Sequence, residues 1–237
     1  MLKIENLYKS YSKKQVLTGV DLEIQKNDIV ALIGINGAGK STLLEIICGV
    51  IKKNQGKIMV DNIDIDDKKH KKLLKFKIGY MPQSFRMFND MTVKENLDYL
   101  VAVYNLKKDT TSKIMQLCEL LDKKNILAQN LSGGYRQLLS LAGTIIHNPE
   151  FLILDEPTSA MDPIFRSMFW KIIKTLNKEN GTTVLVTTHY LEEISECNKM
   201  MCLANGKIIF SGDTQDFNLS QDTSKFKVIY DLYQKKE

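Results

Sequence analysis

Gly34-Ile35-Asn36-Gly37-Ala38-Gly39-Lys40-Ser41-Thr42, entered from the unbroken apolar run Ile29-Val30-Ala31-Leu32-Ile33, is the stretch on which the fold turns. The run is short and bounded by Asp28 and Gly34, as a buried strand is. Beyond the glycines, Leu43, Leu44, Ile46 and Ile47 belong to a helix. A strand passing through Gly-x-x-x-x-Gly-Lys-Ser into a helix is the setting of a phosphate cradle. The glycines let the backbone wrap tightly, so that successive N–H groups converge on phosphate oxygens. The helix N-terminus adds the positive end of its dipole. Lys40 brings a full charge to the terminal phosphates, and the Ser41 hydroxyl suits Mg²⁺, a hard cation that prefers oxygen.

Outward from this loop the pattern repeats. Leu22–Ile24 alternates like a strand, and Phe151–Leu154 and Thr183–Val186 read as buried strands. Strands alternating with helices predict an α/β protein with a mainly parallel sheet. Phe151–Leu154 ends in Asp155-Glu156, two carboxylates where open α/β sheets carry their ligands. Asp155 is expected to serve Mg²⁺ through water, and Glu156 to act as general base on the attacking water. The middle of the chain reads as helical. Thr92-x-x-Glu95 is a capping box for a helix through about Val103, and Ile114, Leu117, Cys118 and Leu121 keep helical spacing. Ser132 caps a helix holding Leu138, Leu139, Leu141, Ala142, Ile145 and Ile146. The expected organisation is one domain over 1–237: an α/β lobe of 1–83 and 148–212, a helical insertion of 84–147, and a short polar tail of 213–237.

The bulk properties agree with a globular chain. Its 237 residues are 43% hydrophobic and 26% charged, enough for a sizeable core. No apolar stretch approaches the roughly 18–20 residues of a membrane helix, and Met1-Leu2-Lys3-Ile4-Glu5 does not open a signal peptide. A cytosolic protein is expected. The net charge of +5 fits phosphate ligands, anionic headgroups or nucleic acid without separating them. Cys48, Cys118, Cys197 and Cys202 show neither metal-like spacing nor a CxxC, so reduced and mostly buried thiols are expected.

Leu131-Ser132-Gly133-Gly134-Tyr135-Arg136-Gln137 resembles the signature of ATP-binding-cassette (ABC) proteins. The resemblance covers about residues 2–212. It runs through Tyr11, the phosphate loop, Met81-Pro82-Gln83, the signature, Asp155-Glu156, Ser159-Ala160-Met161-Asp162 and His189 in the family's order. It implies a RecA-like P-loop NTPase core with an N-terminal antiparallel β portion and an inserted helical subdomain. It implies that Tyr11 stacks on adenine with Val16 beside it, and that Asn36, Gly37, Ala38, Gly39, Lys40, Ser41 and Thr42 hold the phosphates of ATP. Gln83 would reach Mg²⁺ and the water together with Ser41 and Asp155, and its loop would sense a transport partner. His189 would hydrogen-bond the γ-phosphate. Ser132, Gly133, Gly134 and Gln137 would close on ATP held by another subunit, with Asp162 on the seam between the two. The implied partners are ATP, a second copy or a paralogous cassette, and a separate transmembrane permease that holds the chain at the cytoplasmic face of the membrane. Nucleic acid is not expected.

Segment 82–106 and Thr188-His189-Tyr190-Leu191-Glu192-Glu193 are similar to cassettes that pair with ABC-2-type exporter permeases, so an exporter is expected. The alternative is a soluble cassette ATPase serving iron–sulfur assembly or another cytosolic role. Against it stand the lack of a coiled-coil insertion and the run Asp155-Glu156-Pro157-Thr158-Ser159, which looks like transporter cassettes. Lys40, Asp155, Glu156 and His189 argue against an inactive binding module. Leu138 and Gly143 stand where relatives commonly carry arginine, and Met161 where they carry leucine. The missing arginines are expected to weaken contacts near the signature helix or to lower intrinsic ATPase activity. The lysines between Lys68 and Lys77 read as a solvated helix face or as a contact for anionic lipid.

Overall fold

The structure is a computed structural model that describes residues 1–12 and 14–215. In chain order its strands are β1 (Leu2–Tyr11), β2 (Lys14–Ile24), β3 (Ile29–Ile33), β4 (Gln55–Val60), β5 (Ile63–Asp64), β6 (Ile78–Met81), β7 (Phe151–Asp155), β8 (Thr183–Thr187), β9 (Lys199–Ala204) and β10 (Lys207–Asp213). The helices are α1 (Lys40–Ile47), α2 (Lys71–Lys77), α3 (Val93–Val103), α4 (Thr110–Leu117), α5 (Gly133–Ile145), α6 (Pro163–Asn180) and α7 (Leu191–Ile194).

Two sheets form. One is antiparallel, in the order β2-β1-β4-β5. The other runs β10-β9-β3-β8-β7-β6 and is parallel except for β10. The strands β3, β7 and β8 are buried along their whole length, because both faces of this second sheet are covered. Strand alternation divides their side chains between two apolar clusters. Ile29, Ala31, Ile33, Leu152, Leu154, Val184 and Val186 pack with α5, α6 and the helices of the middle segment. Val30, Leu32, Phe151, Ile153 and Leu185 pack with α1 and the antiparallel sheet. Apolar runs without alternation are the sequence trace of this double burial.

The segment between β6 and β7 holds α3, α4, α5 and two short 3₁₀ turns. Thr92 caps α3 in a reciprocal box with Glu95, as the sequence predicts. The helix read through Leu121 instead stops at Leu117. Glu119 turns left-handed at φ 55°, its N–H bonds Gln116 O at 3.2 Å, and Leu120 N–H bonds Met115 O at 2.8 Å. That is a Schellman close, and it leaves Leu121 44% exposed. Of the lysine run, Lys77 is drawn into ion pairs with Asp61 and Glu150, both at 2.7 Å. The tail reading of 213–237 lies almost wholly outside the described residues.

Candidate active site

The glycine loop leaves β3 and closes onto α1 through Gly39, whose φ is 105°. Here glycine is required twice over. The backbone is left-handed, and a Cβ would lie 2.9 Å from Leu17 Cδ2 and 3.1 Å from Val16 Cγ1. Lys40 follows at once and is only 5% exposed. Its ammonium donates to Gly34 O at 2.7 Å and Ile35 O at 3.4 Å, so the loop's own carbonyls aim it. Burial pushes the Lys40 pKa down, while the charges of Glu156 and Asp155 hold it up. Val16, Asn36, Gly37, Gly39, Lys40, Ser41, Thr42, Gln83 and Glu156 line one cavity of about 380 Å³.

Gln83, Glu156 and His189 each follow the C-terminal end of a parallel strand: β6, β7 and β8, which are neighbours in the sheet. That adjacency brings them together. Gln83 Nε2 donates to Glu156 Oε2 at 2.9 Å, and His189 Nδ1 lies 3.7 Å from the same oxygen. The second distance is a close approach but too long for a hydrogen bond. Glu156 has φ 46°, a left-handed conformation that is uncommon for a residue with a Cβ. Its N–H donates to Thr187 Oγ1 at 2.8 Å, and that hydroxyl donates to Asp155 Oδ1 at 2.7 Å. One threonine therefore fixes both carboxylate residues.

Thr187 is a residue of this site that the sequence reading misses. It lies at the end of β8, directly opposite Asp155 in the parallel register. Thr158 and Glu193, hydrogen-bonded to each other in the interior, are also missed.

The donor set fits Mg²⁺. Among the described residues no cluster of three or more metal-ligating His, Cys, Asp or Glu side chains occurs. Mg²⁺ does not need one, since it takes one or two carboxylates, hydroxyls, water and the phosphates of its nucleotide. Ser41 and Gln83 offer that hard-oxygen chemistry in the cavity lining; Asp155 does not line the cavity but ends β7 beside Glu156, buried, with Oδ1 accepting from Thr187.

Not every expected residue gathers there. Tyr11 ends β1 with its ring 45% exposed and Lys9 Nζ 4.9 Å from the ring centroid; it does not line the cavity. Ser132, Gly133 and Gly134 do not line it either. Ser132 is exposed at the N-cap of α5 and makes no side-chain capping bond, so the helix presents its first N–H groups openly. A Cβ on Gly134 would fall 2.4 Å from the Phe165 ring, so the helix start approaches α6 only because that residue is glycine. Gln137 is buried one turn further on. Asp162 accepts from Ile164 N–H at 2.9 Å and Phe165 N–H at 3.0 Å, capping α6.

The departures from the signature pattern fall at packed positions of α5 and its neighbouring loop. Leu138 is fully buried in the larger apolar cluster. A Cβ at Gly143 would lie 2.0 Å from Met87 Cε and 2.9 Å from Leu100 Cδ1. Apolar side chains pack closely at both positions. Met161 is likewise part of this core.

A larger groove of about 720 Å³ runs along α6 and α7, between Trp170 and Glu196. It holds no glycine loop and no strand end, so its size carries no weight against the smaller cavity. A third, of about 290 Å³, adjoins the glutamine loop and is lined by Pro82, Met87, Phe88, Tyr99, Leu100 and Tyr104 among others.

The family model described as ABC transporter matches residues 17–159. The chain is 38% identical over 221 residues to the lipopolysaccharide export system ATP-binding protein LptB of Haemophilus influenzae, covering 90% of each. It is 35% identical over 227 residues to the methionine import ATP-binding protein MetN 1 of Oceanobacillus iheyensis, covering 91% of this chain and 67% of that one. Among the curated relatives it matches, the chain spans as little as 30% of the relative's length. The solved dimer of the ATP-binding cassette MJ0796, in a post-hydrolysis state bound to ADP and Pi, superposes with a TM-score of 0.82 at 28% identity, covering 90% of this chain and 98% of that one.

Proposed function

The chain belongs to the ABC transporter family, and from that premise we propose that it is the ATP-binding and ATP-hydrolysing subunit of a membrane transporter, working as an exporter. The observation that carries the reading is the meeting of Gln83 and His189 on one oxygen of Glu156 at the rim of the Lys40 cavity. Glu156 takes the proton of the attacking water, Gln83 orients the carboxylate, and His189 serves the terminal phosphate. Lys40, Asn36, Gly37, Ala38, Gly39 and Thr42 hold the phosphates, with Val16 and Tyr11 toward the base. Ser41, Asp155 and Gln83 would hold Mg²⁺, which would supply positive charge to the phosphate oxygens.

Within one chain the tip formed by Ser132, Gly133 and Gly134 lies outside the Lys40 cavity, which supports its use by a second chain. Two cassettes, identical or paralogous, sandwich two ATPs head to tail, and hydrolysis lets them part. Ile164, 74% exposed beside Asp162, suits a seam that is covered on closure. No helix among the described residues is long and apolar enough to cross a membrane; this reading assigns the passage of cargo to a separate permease subunit. Its docking place is the groove at the glutamine loop, where Phe88 and Tyr99 stand 46% and 48% exposed. Relatives named for import and for export match alike, and the export direction rests on the 82–106 and 188–193 segments.

The test is ATP turnover by the purified chain, and light scattering of Glu156→Gln with MgATP. The variant is expected to bind ATP, to turn over at least a hundredfold slower, and to run as a dimer. Wild-type turnover in Glu156→Gln, or a monomer at saturating ATP, overturns the reading.

A further inference from the structure

Glu193 carries a carboxylate that is 1% exposed, on the short helix α7, and nothing above uses it. A buried carboxylate is retained at a cost unless its oxygens are matched. Here they are divided between the two loops that bear the chemistry. Oε1 accepts from the hydroxyl of Thr158, two residues beyond Glu156, and Oε2 accepts from the hydroxyl of Thr188, the residue before His189. Thr188 Oγ1 also accepts from Tyr190 N–H at 3.0 Å, and Glu193 N–H returns to Tyr190 O at 3.2 Å, so the turn around His189 is closed on itself.

The same carboxylate reaches the far end of the loop after β7 through Arg166. Its Nε lies 3.6 Å from Glu193 Oε1, and its guanidinium sits 4.2 Å from the centroid of the Tyr190 ring. Arg166 belongs to the first turn of α6. Its N–H bonds Asp162 O at 2.9 Å and its Nη2 reaches Met161 O at 3.5 Å.

We infer that Glu193 is a positioning residue, a two-sided latch that binds the loop after β7 to the loop after β8. Glu156, Asp162 and His189 thereby hold one mutual arrangement and shift as a unit when the site closes. A small apolar side chain would fill the space without tying one loop to the other; a carboxylate supplies two acceptors on opposite sides. The inference rests on the ATPase reading above and adds to it which group holds the reacting side chains in register.

Steady-state ATP turnover, normalised to bound nucleotide, tests it on Glu193→Ala, Glu193→Gln, Thr158→Val and Thr188→Val. Glu193→Ala is expected to lower kcat at least tenfold with KM for ATP within twofold. Glu193→Gln is expected to recover most of it, because the amide accepts from one threonine and donates to the other. Each Thr→Val variant should reproduce part of the loss and add nothing when combined with Glu193→Ala. An unchanged kcat in Glu193→Ala, a KM that worsens in step with kcat, or a Gln variant no better than Ala overturns the inference. Should Glu193→Ala not fold, wild-type kcat in the other three variants does the same. A wild-type chain that turns over no ATP overturns the parent reading and this one with it; an active wild type with an unimpaired Glu193→Ala overturns this one alone.

Discussion

Gln83 and Glu156, on loops that leave two adjacent parallel strands, are joined by a 2.9 Å hydrogen bond from the amide nitrogen to Oε2. The bond aims a carboxylate whose backbone is already held in a left-handed turn by Thr187. Two independent restraints on one side chain are what a proton acceptor needs, since its geometry must be set before its basicity matters.

Removal of the amide is therefore expected to act on rate and not on binding. Gln83→Ala should lower kcat about tenfold and leave ATP affinity within twofold. Stopped-flow binding and steady-state turnover on one preparation check both; a fall in affinity that accounts for the whole loss would point to the phosphates and away from Glu156.

The phosphate loop gives the opposite split. Lys40 donates to Gly34 O and Ile35 O, so the loop's own carbonyls place its charge at the cavity. Lys40→Ala should weaken nucleotide binding by about 2 kcal/mol, about thirtyfold. Fluorescent-nucleotide titration reads it, and unchanged affinity would remove the loop from the site.

Position 138 separates packing from charge. Leu138 is completely buried among apolar neighbours. Leu138→Arg should cost about 3–5 kcal/mol and should not raise turnover. Denaturant unfolding measures the first; a stable and faster enzyme would mean that the helix can turn this position outward.

Lys77 offers a pH test. Hydrogen bonds from Lys77 and Lys26 hold the Asp61 carboxyl below its ordinary range, and Asp61 and Glu150 raise Lys77. A depressed carboxylate contributes stability that is present above its unfolded pKa of about 4 and is lost as pH falls through its folded value. A raised lysine contributes stability that is complete below about pH 10.4 and is lost as pH climbs through its folded value. Lys77→Met should lose about 1 kcal/mol at pH 7, and its stability should fall less steeply below pH 4 than that of the wild type. Thermal melts from pH 3 to 7 decide it; parallel curves would assign the pairs no weight.

The thiols follow from burial in the same way. Cys118 is pushed up to about 12 and Cys202 to about 11 by desolvation, so neither holds appreciable thiolate at neutral pH. Both should resist alkylation in the folded chain and react in denaturant, as mass spectrometry would show; rapid native labelling would mean that these core positions open.

What the residues alone determined is local. A glycine loop, a capping box or a strand buried on both faces is written in neighbouring side chains, because backbone freedom, helix ends and alternation act over a few positions. Those signals were enough for the P-loop fold and for carboxylates at the end of β7. The tertiary structure decided which of them meet. Thr187 bonds Asp155 only because β7 and β8 pair in one register, Glu193 bonds Thr158 only because α7 returns over the loop after β7, and Leu138 is core only because α5 packs against α3, α6 and β6. Each of these is a contact between residues distant in the chain or a face chosen by packing. No spacing in the sequence encodes such a contact, because it is the long-range arrangement of strands and helices that sets it.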